Sequence, residues 1–229
     1  GGKATATAGA NLPNGVITHF YLPEAPAKDS RVALHFIQQG DTLATLSTDA
    51  KDKKDKLEVK KGLNTYVWDT RGVDAKRLEG MILWSANLSG PKAVPGNYTV
   101  ALEAGKYIRN ADFKILPDPR AEATVADMQA QYDFISGINA TINKAHEAIE
   151  TIRSVNAKLA EFQKTYKDDA DQKSLVASAK ALAEQLSTVE KALYQTQNRS
   201  GQDPLNFPIR LTNKLGHLNS MAGMDDFAP

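Results

Sequence analysis

The spacing of apolar residues changes at Leu116-Pro117-Asp118-Pro119, and that change constrains the fold more than any motif does. Ahead of it, apolar residues alternate with polar ones or form short runs between turn residues; after it they recur every three or four positions. A period of two belongs to half-buried strands, and a period near 3.6 to helices with one apolar face. The two prolines mark the join, because the residue before a proline is disfavoured in a helix. Two domains are therefore expected, all-β and then all-α.

In the first half, strands are predicted over residues 16–22, 32–38, 42–46, 64–69, 81–84, 97–104 and 106–115. Gln39-Gly40-Asp41 and Ala104-Gly105 read as hairpin turns, and Pro95-Gly96 stands just before a strand. Short strands at this spacing predict a β-sandwich over residues 14–116. Residues 1–13, which begin GGKATATAGA, are small and polar and read as a linker or cloning remnant. No signal-peptide pattern opens the chain.

Residues 117–123 read as a linker to an antiparallel three-helix bundle over 124–229. Thr124-Val-Ala-Asp127 is a capping-box variant that opens a helix. From there Met128, Tyr132, Ile135, Ile138, Ile142, Ala145, Ile149, Ile152, Val155, Leu159, Phe162 and Tyr166 form one unbroken seam. A helix over 124–166 is roughly 60 Å long at 1.5 Å per residue, so it needs partner helices. Leu175, Ala179, Leu182, Leu186, Val189 and Leu193 supply one after the polar turn at 167–171; Leu211, Leu215 and Leu218 supply a shorter third, opened near Pro208. Packing within the chain is the simpler use of the seam. The first helix nevertheless outreaches the second, which leaves seam available for self-association. The polar residues beside it, Asn139, Asn143 and His146, do not decide between the two.

Charge and composition exclude several classes. With 24% charged and 41% apolar residues the chain has ordinary globular composition. A formal net charge of +1 gives no electrostatic support for nucleic acid, and the lysines of 51–61 are offset by Asp52, Asp55 and Glu58. No apolar run is long enough for membrane insertion. The absence of cysteine excludes disulfides and thiolate chemistry.

No constellation with catalytic spacing is present. His19, His35, His146 and His217 are far apart and lack zinc-site spacing, and there is no GxSxG, P-loop or GxGxxG motif. Asp49, Asp52 and Asp55 fall three apart, whereas a calcium loop needs acidic residues two apart, a glycine and a closing glutamate. No catalytic, cofactor-binding or metal-ligating residue is assigned. Among the aromatics Tyr66, Trp68, Trp84, Tyr98 and Tyr107, core packing is the favoured reading, with both tryptophans expected to plug the sandwich. Contact with a glycan or a neighbouring domain is the other, with Trp68, Trp84 and Tyr98 as candidates. Asp69 and Arg71 read as a local ion pair or turn.

Residues 62–104 read GLNTYVWDTRGVDAKRLEGMILWSANLSGPKAVPGNYTVALEA. The WD step at Trp68-Asp69, the second tryptophan after Met81-Ile82-Leu83, and VPGNYTVAL from Val94 together resemble the region after the propeller in bacterial Asp-box (BNR) proteins of the sortilin-like, glycoside-hydrolase-like kind. VPGNYTV is also similar to the closing hairpin of the Ig-like domain of flagellar hook-capping proteins, and NFPIRLTNKLGHL, 206–218, is similar to the Asp-box family's tail. The resemblance implies an Ig-like sandwich followed by a helical bundle, in an exported protein of the periplasm or cell exterior. Its partner would be the N-terminal propeller of the same polypeptide, and any hydrolase activity would belong to that propeller. It implies a non-catalytic structural or interaction module; the alternative is a carbohydrate-binding module that helps hold a polysaccharide. Because the family is bacterial, the sequons at Asn87, Asn97, Asn139 and Asn198 are discounted.

Overall fold

The computed structural model describes residues 12–27 and 30–224, so nearly all of the expected leading linker lies outside the described residues. The chain forms two compact units: Gly1–Gly72 with Lys92–Pro117, and Val73–Pro91 with Asp118–Pro229.

Among the described residues the first unit holds six strands: β1 (Val16–Leu22), β2 (Val32–Gln38), β3 (Asp41–Ser47), β4 (Gly62–Trp68), β5 (Gly96–Ala104) and β6 (Tyr107–Ile115). β1 and β4 pair antiparallel from Val16 opposite Trp68 to Leu22 opposite Gly62. The others form a four-stranded antiparallel sheet in the order β3-β2-β5-β6. Both hairpin turns form where the sequence places them. Gln38 pairs with Asp41, which leaves Gln39 and Gly40 as a two-residue loop with φ of 51° and 91°. Two successive left-handed residues give the turn whose twist matches the strands it joins. Ala104 pairs with Tyr107, and Gly105 takes the first loop position at φ 57°.

Alternation along β2 sends Val32, Leu34 and Phe36 into a core shared with Phe20, Leu22, Leu46, Trp68 and Tyr98. Trp68 is 2% exposed and stacks on Phe36 with centroids 4.4 Å apart. Its indole N–H donates to the Arg71 carbonyl at 2.9 Å, so burial leaves no polar group unmet. The turn expected at Asp69 and Arg71 forms, with the Arg71 N–H donating to the Asp69 side chain, Oδ1, at 3.0 Å.

The second unit holds α1 (Val125–Thr165), α2 (Lys173–Leu193) and α3 (Leu211–Ala222). The capping box forms at Thr124, whose hydroxyl accepts from the Asp127 N–H while Asp127 Oδ2 accepts from the Thr124 N–H. α3 lies along the N-terminal half of α1, where Asn219 meets Asn139 and Gln131 reaches the Ala222 carbonyl. α2 returns along the C-terminal half, where Arg153 pairs with Glu190 and Asn156 with Ser187. The two shorter helices follow one another along α1, joined where Thr212 Oγ1 donates to the Leu193 carbonyl at 3.1 Å.

This corrects the expected fold class. An Ig-like sandwich of about seven strands followed by a three-helix bundle, all-β then all-α, does not form. Six strands fall in two small sheets of two and four, and the strand expected over 81–84 is absent. Its segment, Val73–Pro91, belongs to the helical unit, so the chain is a mixed α/β fold. The physical reason lies in the main chain around 81–84: Gly80 (φ 66°) and Ser85 (φ 45°) bracket the run with left-handed conformations that no strand continues through. Trp84, expected in the sandwich core, is 37% exposed in this segment.

Trp68→Ala should cost about 3–5 kcal/mol of unfolding free energy, a large share of an ordinary domain's stability, whereas Trp84→Ala should cost far less. Urea unfolding of the two variants checks this, and equal losses would contradict the burial assigned to each.

Candidate functional site

The main convergence of buried polar side chains lies in the helical unit, around Val73–Pro91, hereafter the strap. Its apolar residues Ala75, Leu78, Met81 and Leu88 are buried with Ile138, Ile142 and Ile149 of α1 and Tyr194. That burial carries main-chain amides and carbonyls away from water, and each needs a partner. The strap joins no sheet: its Ala75 N–H donates to its own Leu88 carbonyl at 2.7 Å, and side chains from the helices and Tyr194 supply further bonds.

Lys76 is held at three points by one stripe of α1. Its N–H donates to Asn143 Oδ1 at 2.7 Å, its carbonyl accepts from His146 Nδ1 at 2.6 Å, and its ammonium meets Glu150. The Ile82 N–H donates to the Tyr194 hydroxyl at 3.1 Å. Asn213 of α3 closes both main-chain groups of Trp84, accepting from its N–H at 2.7 Å and donating to its carbonyl at 2.9 Å. A primary amide is suited to this because it carries donor and acceptor at the spacing of a peptide group. His217 Nδ1 donates to the Ser85 carbonyl at 2.7 Å, which fixes the left-handed turn. The Asn87 N–H donates to the Gly216 carbonyl at 3.1 Å. Asn139 and Asn219 both donate to the Ser89 carbonyl at 3.0 Å, and Asn219 also donates to Asn139 Oδ1 at 2.7 Å.

Gly216 sets how closely α3 approaches. A Cβ there would stand 3.1 Å from both Ala86 Cβ and the Asn87 carbonyl oxygen. Asn87 cannot retreat without losing its bond to the Gly216 carbonyl.

His146 is fully buried. Because Nδ1 donates to a carbonyl, Nε2 bears the lone pair, and it has no partner among the described residues. Burial pushes the imidazole below its ordinary pKa, and Lys76 and Arg153 act in the same direction; the Lys76 carbonyl and Glu150 oppose them.

In the β unit, Arg31 bridges Asp49 and Glu103, and Glu103 also meets His35 at 3.1 Å. The hydrogen bond from His35, then that from Arg31, lowers the Glu103 carboxyl below its ordinary range. These side chains satisfy one another on a partly exposed sheet face. A shallow depression of about 670 Å³ lies by the β2–β3 turn, lined by Gln39, Asn97, Asp112 and Lys114; there Asp112 already accepts from Thr99 at 2.7 Å. Among the described residues no group of three His, Asp or Glu could hold a metal ion.

The three aromatic candidates are not brought together as a platform. Trp68 and Tyr98, each 2% exposed, meet edge-on at 6.3 Å inside the β unit, while Trp84 sits on the strap. The sequence marks Asn139, Asn143 and His146 only as polar neighbours of the seam, and Asn213, Gly216 and Asn219 were not singled out. A signal was present: 139, 143, 146 and 150 follow helical spacing beside the apolar seam, and 213, 216 and 219 do so on the third helix. No protein-family model matches the chain, and neither a curated protein nor a solved structure does.

In a helix interior Ala is favoured over Gly by about 1 kcal/mol. Gly137→Ala, where nothing lies near the new methyl, should therefore stabilise. At Gly216 the same change presses on the strap, and overpacking of that kind costs roughly 1–3 kcal/mol. Gly216→Ala should destabilise, and chemical denaturation of both variants reads the two signs.

Burial of His146 ties stability to pH. A depressed folded-state pKa means that the unfolded chain takes up a proton the folded chain resists. The stability tied to this group is complete above about pH 6.5, the ordinary histidine value, and is lost below it. Wild type should lose stability on acidification more steeply than His146→Gln, and identical pH slopes would rule out His146 as the responsible group.

Proposed function

We propose that this chain is a non-catalytic structural and interaction module of a larger exported bacterial protein with an Asp-box propeller. The observation that carries the reading is the use to which the convergent polar groups are put. Asn139, Asn143, His146, Asn213 and Asn219 direct their hydrogen bonds to the chain's own strap. A binding or catalytic centre would instead direct them into a cavity. The parent and its location rest on the resemblance of residues 62–104 and 206–218, which assigns any hydrolytic chemistry to the propeller. The burial of Trp68 and Tyr98 counts against their use as sugar platforms, which favours the structural role over the carbohydrate-binding one.

A screen of the purified chain against aryl glycosides and polysaccharides should give neither turnover nor binding. Turnover abolished by replacing one Asp or Glu of this chain would defeat the proposal, and binding without turnover would promote the carbohydrate-binding reading.

A further inference from the structure

The strap and the helices are held by different kinds of bond. Each helix carries its own main-chain ladder, and the helices hold one another through Arg153 with Glu190, Asn156 with Ser187, and Thr212 with the Leu193 carbonyl. None of these contacts passes through Val73–Pro91. The strap is instead anchored to the rest of the unit by separate contacts at Lys76, Ile82, Trp84, Ser85, Asn87 and Ser89. A segment without a ladder of its own can lift from helices that keep theirs, at a free-energy cost below that of unfolding the whole unit.

The first of these anchors depends on a neutral ring. His146 of α1 is fully buried and donates from Nδ1 to the Lys76 carbonyl at 2.6 Å. A second proton would sit on Nε2, which faces no protein acceptor among the described residues. An enclosed charge and an enclosed N–H without an acceptor are both unfavourable.

The charges around the ring are already committed. From the strap, Lys76 brings its ammonium, Asp74 accepts from the Gly90 N–H at 3.0 Å, and Arg77 and Glu79 are exposed. On α1, Glu147 is exposed, Glu150 is taken by the Lys76 ammonium, and Arg153 is taken by Glu190 of α2. Arg153 also lies 5.7 Å from the centre of the Tyr194 ring, whose hydroxyl accepts from the Ile82 N–H. α3 meets the strap farther along, where its titratable contact is His217, bonded to the Ser85 carbonyl. That ring is exposed, so water can receive a second proton there without the bond being broken.

We propose that the strap is an acid-released latch: a proton on His146 Nε2 is accommodated only when Val73–Pro91 lifts from α1 and admits water, while the three helices stay folded. In the closed form burial holds the imidazole below its ordinary pKa, and lifting returns it towards about 6.5. Release therefore sets in as pH falls through that value. One coupled proton then raises the opening constant by about tenfold per pH unit. The apolar residues of the strap are buried with Ile138, Ile142 and Ile149, so the acid form presents α1 surface that the neutral form hides.

Amide hydrogen exchange at pH 7.5 and 5.5, corrected for intrinsic rates, tests the latch. The N–H groups of Lys76, Ile82, Trp84 and Asn87 should share one opening constant, at least tenfold above that of the Ile142 and Ile149 amides. It should rise about tenfold between the two pH values. His146→Gln should abolish the rise, and His217→Gln should retain it. If His146→Gln does not fold, carbon shifts of the wild-type His146 ring replace it, and they should titrate with the amide signals of the closed strap. A strap that opens only as often as α1 overturns the latch, as does one whose opening ignores pH. So does a rise that survives in His146→Gln or disappears in His217→Gln, or a His146 ring that protonates beneath a closed strap.

Discussion

The helical unit depends on one requirement: the main chain of Val73–Pro91 is drawn into an apolar interior without a strand to pair with. Burying Ala75, Leu78, Met81 and Leu88 against α1 is favourable only if the peptide groups between them keep hydrogen-bond partners. A sheet edge would supply these from another backbone. Here asparagine amides and histidine rings take that place, and the asparagines offer donor and acceptor together. The arrangement fixes the register of strap against helix at Lys76, Trp84 and Ser89, with Gly216 admitting the close approach of α3.

The two halves of α1 consequently live in different environments. Its N-terminal half lies among α3 and the strap, and its buried positions include Gln131, Asn139 and His146 as well as isoleucines. Beyond Glu150 it runs beside α2, and among α2 residues Ala179 alone is buried. A long helix with one apolar seam is uniform in sequence but not in surroundings. The first stretch carries clamps to the strap at Asn139 and Asn143, whereas the second bonds to α2 through Arg153 and Asn156.

Polar side chains serve the chain's own framework in both units. In the helical unit they lock main chain to helix; on the β unit Arg31, His35, Asp49 and Glu103 bond to one another across the sheet. In both, the named side chains bond to partners within the chain.

The sequence by itself determined the local elements. Strand alternation placed β1 and β2 at their observed ends, Gln39-Gly40 and Gly105 placed the hairpin turns because those conformations favour particular residues, and Thr124 with Asp127 placed the start of α1. Each is decided by neighbours a few residues away. Only the tertiary structure decided the fate of 81–84. An apolar run of that length suits a strand or a core segment equally, and the choice fell to partners more than a hundred residues later, Tyr194 and Asn213. For the same reason Trp68 and Trp84, alike in local context, part company: one stacks on Phe36 in the core and the other rides half-exposed on the strap. The clamp asparagines were visible as helical spacing but not as a site, because an amide beside an apolar seam gains its meaning only from the backbone brought against it.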